Sequence, residues 1–153
     1  LLASITNANP KIANYQFTTL NPNLGVASYD DKEITIADIP GLIEGAHKGT
    51  GLGTQFLKHI ERCKSILHLI DITNSDLEKS YYQVKNELKN YSSDLLKKKE
   101  LIVLNKIDLL DKNSTNEIIK RFSKKVKGEI LTLSTLNKVS VSKIKAKLIS
   151  YDS

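Results

Sequence analysis

Short apolar runs alternate with helical patterns along most of this chain. Leu24 to Tyr29 and Glu33 to Ala37 flank Asp30-Asp31-Lys32. That arrangement predicts a β-hairpin with Ile34 and Ile36 on one face. Phe56, Leu57, Ile60 and Cys63 are spaced for one face of a short helix. Ile66 to Ile70 is an apolar run ending at Asp71, which suits a buried strand. Leu77, Tyr81, Val84, Leu88 and Tyr91 follow at steps of four and three, so a helix is predicted there, with Ser75 and Glu78 as its capping box. The pattern then repeats. Leu101 to Leu104 reads as a strand. Ser114 and Glu117 read as a second capping box ahead of Ile118, Ile119, Phe122 and Val126. Ile130 to Leu133 reads as another strand, and Val141, Ile144 and Leu148 mark a last helix. Strands alternating with helices imply an α/β fold, a mostly parallel sheet with helices on both faces. In such sheets ligands bind beyond the carboxyl ends of the strands, so the residues just after each strand carry the interest.

Composition narrows the classes. The chain has 153 residues, an apolar content of 40% and a charged content of 26%, which describe one globular domain. Cys63 is the single cysteine, which excludes an intramolecular disulfide and fits a reducing compartment. No run approaches 18 consecutive apolar residues, and no signal pattern opens the sequence. Methionine is absent throughout, which points to a piece of something longer. Charge is uneven. From Lys97 onward 14 Lys and Arg face 6 Asp and Glu, whereas the first 96 residues carry 9 against 11. A basic C-terminal half suits a polyanion such as RNA, although Lys-rich helix surfaces are also common.

Four segments follow or precede strands in a telling order: Phe17-Thr18-Thr19-Leu20-Asn21, Asp38-Ile39-Pro40-Gly41, Asn105-Lys106-Ile107-Asp108 and Ser134-Thr135-Leu136. Together they look like the nucleotide-contacting boxes of a GTP-binding protein. Guanine presents two adjacent donors, its ring N–H and its exocyclic amine, and a carboxylate at Asp108 accepts both. Asn105 can meet the guanine acceptors and hold the loop, and the Lys106 stem can lie along the base face. The backbone after Ser134 can donate to the guanine oxygen. Asp38 can hold a Mg²⁺-bound water, and Thr19, favoured over Thr18, can be a direct Mg²⁺ ligand through its hydroxyl. The Gly41 N–H can reach the γ-phosphate, since no Cβ blocks the approach. Asn-Lys-x-Asp alone would arise by chance in roughly one or two chains per hundred of this length. Its specificity here comes from its position directly after an apolar strand and behind Asp-x-x-Gly.

The segment from Gly41 to Ala46, the run from Gly49 to Arg62 and the stretch Lys11 to Val26 sharpen the resemblance. With them the chain closely resembles the GTPase domain of the Obg/CgtA family over most of its length. The resemblance implies a P-loop NTPase-like (Ras-like) G domain spanning residues 1–153, with slow GTP hydrolysis, Mg²⁺ dependence and a cytoplasmic location. It also implies a monomer that acts in large ribosomal subunit assembly and in stress and growth control. GTP, GDP, the alarmone ppGpp, the large subunit and its rRNA are the implied partners. The alternative is a ribosome-binding module that keeps the fold and has lost turnover.

Three departures from the family pattern stand out. The phosphate-binding loop and the strand that feeds it are expected just before Leu1. The glycine-rich N-terminal domain of the family is absent from the sequence. Thr135 stands where Ala is usual. Gly49 to Gly53 lacks the Gly-Lys-Ser/Thr ending of a phosphate loop and has the wrong spacing for a dinucleotide fold. No catalytic residue can be named: Leu42 occupies the position where Ras-like proteins carry a water-orienting Gln. Among the histidines, His68 reads as a packed strand residue, while His47 and His59 carry no specific chemistry. Cys63 reads as a small core residue, and Tyr81, Tyr82 and Tyr91 as helix packing.

Overall fold

A computed structural model describes residues 1–6, 11–12, 23–38 and 61–152. The expected boxes at Phe17, Thr18, Thr19, Leu20 and Asn21 and at Ile39, Pro40 and Gly41 lie outside these residues. So do the glycine-rich segment, His47, His59 and the helix expected around Phe56. The described elements are α1 (Leu2–Ile5), β1 (Lys11–Ile12), β2 (Asn23–Tyr29), β3 (Lys32–Asp38), β4 (Ser65–Asp71), α2 (Leu77–Tyr91), β5 (Lys99–Asn105), α3 (Lys112–Ser123), β6 (Glu129–Leu133) and α4 (Lys138–Asp152). Two 3-10 turns, Ser93–Lys97 and Ile107–Leu109, flank β5.

The expected hairpin forms. β2 and β3 pair antiparallel from Asn23↔Asp38 to Tyr29↔Lys32, and β1 adds to the free side of β2. Only Asp30 and Asp31 separate the strands, and both have positive φ, 53° and 57°. A two-residue turn with both φ values positive matches the right-handed twist of the strands it joins. The second sheet is parallel, in the order β4-β5-β6. The two sheets are separate hydrogen-bonded ladders among the described residues.

Helices cover both faces of the parallel sheet, and alternation within β5 decides which side chain serves which face. Ile102 and Leu104 join Ile70, Ile72, Leu77, Tyr81, Phe122 and Val126 under α2 and α3. Leu101 and Val103 join Ile5, Leu133, Val141, Ile144 and Leu148 under α1 and α4, with Ile34 and Ile36 of the hairpin packed against them. All four of these β5 side chains are inaccessible to solvent. Helix α4 thereby ties the hairpin to the parallel sheet, packing on β2 and β3 as well as on β4 and β6. No described helix is long and apolar enough to cross a membrane.

The helix starts correct two sequence expectations. Ser75 does not cap α2: the Asp76 carboxylate accepts from Lys79 N at 2.9 Å. Ser114 does not cap α3: Asp111 accepts from Asn113 N and Ser114 N, both at 2.9 Å, and the helix begins two residues before Ser114. A carboxylate next to the unpaired N–H groups of a first turn adds charge to the hydrogen bond, and such caps stabilise a helix by about 1 kcal/mol. In each case Asp outcompeted a neighbouring serine. His68 is packed as expected, stacked on the Tyr81 ring at 5.1 Å. Cys63 is half-buried rather than a core residue. It lies just before β4, with its carbonyl and that of Glu61 held by Lys98 Nζ.

Candidate functional site

The parallel register aligns the ends of three strands. Asp71 of β4 pairs with Asn105 of β5, and Asn105 with Leu133 of β6. The residues that follow, Lys106 and Ser134, therefore leave the sheet along one rim. The Ile72 N–H closes that rim by donating to the Asn105 carbonyl at 3.0 Å.

Lys106 follows β5 in the left-handed region, φ 65° and ψ 34°. This is an uncommon place for a side chain longer than Asn. The chain then winds into the 3-10 turn, with Leu109 N donating to the Lys106 carbonyl at 3.1 Å. Ile107 and Leu110 anchor this turn by packing against the α2/α3 core. Asp108 stands exposed between them, and no described group bonds its carboxylate. Asn105 behaves oppositely. Its Oδ1 is buried and has no hydrogen-bond partner among the described residues. Native proteins seldom leave a buried acceptor unpaired, so this atom calls for an N–H or O–H donor beyond the described residues.

The Lys106 ammonium reaches sideways to β4, where Nζ donates to Asp71 Oδ2 at 2.6 Å. The other oxygen of Asp71 accepts from Thr73 N at 3.0 Å and from Thr73 Oγ1 at 2.7 Å. The Lys106 hydrogen bond, followed by those of Thr73, holds the Asp71 carboxyl at about 2, well below its ordinary value. Sequence reasoning saw Asp71 only as the end of a strand. A residue 35 positions before Lys106 becomes its neighbour through the register alone.

The third loop closes on itself. Ser134 is buried, with its carbonyl accepting from Asn137 N at 3.0 Å and from Ser140 Oγ at 2.8 Å. Its own hydroxyl accepts from Leu136 N at 3.3 Å. Asn137 Oδ1 takes Val139 N at 2.9 Å and caps α4. The residue between, Thr135, is exposed, and its N–H finds no described partner. Leu136 is 82% exposed. Ser140 and Asn137, which brace this turn, were not singled out from sequence, though Asn just before a helical pattern is a cap signal.

Asp38 is the remaining described member of the expected set. It ends β3 opposite Asn23, and its carboxylate is exposed. No group of three or more His, Cys, Asp or Glu side chains converges among the described residues. A single carboxylate is what Mg²⁺ commonly takes from a protein, since the ion keeps several waters and prefers hard oxygen donors. The described residues are thus compatible with that ion. The structure brings Asn105, Lys106, Asp108, Ser134, Thr135 and Leu136 to one rim, and leaves Asp38 on the other sheet.

A family model described as "50S ribosome-binding GTPase" matches residues 1–106. The chain belongs to the 50S ribosome-binding GTPase family. Relatives within reach of this family assignment are named GTPase Obg. The one from Pelagibacter ubique is 73% identical over 151 residues, covering 99% of this chain and 46% of that protein. The one from Rickettsia massiliae is 51% identical over 143 residues, covering 94% and 43%. The chain thus spans somewhat less than half the length of the curated relatives it matches. Among solved structures, the cytosolic domain of the Thermotoga maritima FeoB iron transporter in apo form aligns with a TM-score of 0.69 at 18% identity, over 97% of this chain and 56% of that one. The G domain of the same transporter aligns with a TM-score of 0.66 at 15% identity, over 99% and 88%. At such identities the likeness is one of fold, and the fold is that of a GTPase G domain.

Proposed function

We propose that residues 1–153 form a partial Obg-type G domain that binds guanine nucleotides, and that the rim at the carboxyl ends of β4, β5 and β6 is its base-reading end. The reading is carried by Asn105, whose buried Oδ1 lacks a donor among the described residues, as the neighbouring Asp108 carboxylate and Thr135 N–H lack partners there. Asp108 accepts the ring N–H and exocyclic amine of guanine. Asn105 donates its amide to the guanine acceptors and offers Oδ1 to an N–H. Lys106 lays its methylenes along the base, and the Thr135 N–H donates to the guanine oxygen. Ile107 and Leu136 flank the base through their backbones. Phe17, Thr18, Leu20 and Asn21 would contribute to nucleotide binding. Thr19, through its hydroxyl, and Asp38, through a water, would hold Mg²⁺, and Ile39, Pro40 and Gly41 would contact the nucleotide, with the Gly41 N–H donating to the γ-phosphate. The ion, when bound, neutralises phosphate charge. Leu42 cannot orient a water, so hydrolysis to GDP is slow until another group or partner supplies that function. ppGpp fits the same base-reading contacts.

The name of the matching family model, a 50S ribosome-binding GTPase, supports contact with the large ribosomal subunit. We propose in addition a role in the assembly of that subunit and in stress and growth control, a cytoplasmic location and a monomeric state. Titration of the full-length gene product with GTP and ATP, with and without Mg²⁺, followed by phosphate release, tests the reading. Guanine preference with slow, Mg²⁺-dependent release supports it, whereas equal binding of ATP overturns it. Guanine binding without any release selects a ribosome-binding module that has lost turnover.

A further inference from the structure

Sequence singles out Asn105, Lys106 and Asp108 as base readers and passes over Asp71. We infer that Asp71 is a positioning residue for the guanine site: it fixes the Lys106 side chain so that its stem is already extended where the base will stack. The inference rests on the base-reading role proposed above. Its warrant is geometric. Asp71 has one oxygen saturated by two donors of Thr73, which leaves Oδ2 aimed at Lys106 Nζ, 2.6 Å away. The two residues belong to adjacent strands whose register sets Asp71 beside Asn105, one residue from Lys106. The left-handed backbone of Lys106 turns its side chain off the strand direction and toward β4.

Fold stability is a poor reason for this pair. Both side chains are substantially exposed, 53% for Lys106 and 36% for Asp71, and ion pairs of that exposure contribute little to stability. An unrestrained lysine has four rotatable bonds to freeze when its stem packs on a ligand. Freezing them beforehand removes that penalty from binding. The carboxylate stays charged throughout the physiological range, so the restraint is constant rather than a switch. Thr73 works one step further back, since its two donors stop Asp71 from rotating away.

A double-mutant cycle on the full-length protein tests the assignment, with a fluorescent GDP analogue as ligand. Asp71→Asn preserves shape and can still accept from Thr73, yet no longer holds the ammonium. It should weaken GDP binding about three- to tenfold. In a Lys106→Met background the same change should alter affinity by less than twofold, because Asp71 then has nothing to position. A purely structural role predicts the same loss in both backgrounds, and that result overturns the inference. So does an unchanged affinity for Asp71→Asn alone. If Lys106→Met leaves GDP binding untouched, the base-reading role itself fails, which separates the two ideas. Should Asp71→Asn not fold, Thr73→Val provides the second arm, with a smaller loss expected in the Lys106 background only.

Discussion

His68 Nδ1 lies 3.0 Å from Glu100 Oε1, across two neighbouring strands of the parallel sheet. The other oxygen of Glu100 takes Lys85 Nζ at 2.9 Å and the Tyr81 hydroxyl at 3.1 Å. One carboxylate, 13% exposed, thus satisfies three side chains under α2. Glu100→Ala strands all of them and should destabilise the domain by about 2–4 kcal/mol, read by urea unfolding. A loss under about 0.5 kcal/mol would mean that water satisfies these groups instead.

The same carboxylate sets an acid limit. Burial alone would raise its pKa, but the bonds from His68 and Lys85 prevail and bring it from 4.5 to about 2. A depressed folded-state value means that the stabilisation is complete above about pH 4.5. It drains away as pH falls toward 2, when the carboxylate protonates. Unfolding curves between pH 5 and 2.5 should therefore lose about 2–3 kcal/mol in the wild type that Glu100→Gln does not lose. Parallel pH profiles for the two proteins would remove Glu100 from the account.

Asp108 offers the sharpest test of base reading. Asp108→Asn swaps one acceptor for a donor, which then faces a guanine donor. The loss should be several kcal/mol, about a thousandfold or more in affinity. Xanthine carries an oxygen where guanine carries its amine, so the variant should bind XTP in preference to GTP. Competitive titration of both nucleotides decides the matter, and a retained preference for GTP would sink the assignment of this loop.

The hairpin turn should be improvable. Asp30 and Asp31 both pay for positive φ with a Cβ crowded against the backbone. Asp31→Gly, which leaves Asp-Gly at the turn, should stabilise by about 0.5–1 kcal/mol. A melting temperature that stays level or falls would show that the Asp31 side chain contributes more than its backbone strain removes.

Lys124, Lys125 and Lys127 follow α3 and are exposed. If this end of the molecule meets rRNA, replacing all three by Glu should weaken large-subunit binding and flatten its salt dependence while GDP affinity stays constant. Sedimentation with ribosomal subunits at two salt concentrations reads both effects. Unchanged binding would make these lysines an ordinary solvated surface.

Local patterns proved legible where a repeat distance carries the signal. Ile34 and Ile36 lie on one face as alternation demands, and the four apolar residues of β5 form the buried strand they announce. The position of the loop after β5 was legible because Asn105, Lys106 and Asp108 directly follow an apolar run that forms a strand. What escaped was contact across the sheet. Nothing near Asp71 in sequence indicates Lys106, and nothing near Glu100 indicates His68, because register decides both and register is a property of two strands at once. The capping assignments failed for a local reason: with Asp76 beside Ser75 and Asp111 near Ser114, the charged acceptor took the first-turn N–H groups.

Strand β5 ends at Asn105, leads directly into Lys106 and is clamped from both sides, Leu101 and Val103 by one core, Ile102 and Leu104 by the other. An instrument mounted on its stiffest beam keeps its calibration when lighter parts shake. On the proposed reading, loosening the hairpin half of the molecule should change how tightly a nucleotide is held far more than which base is chosen.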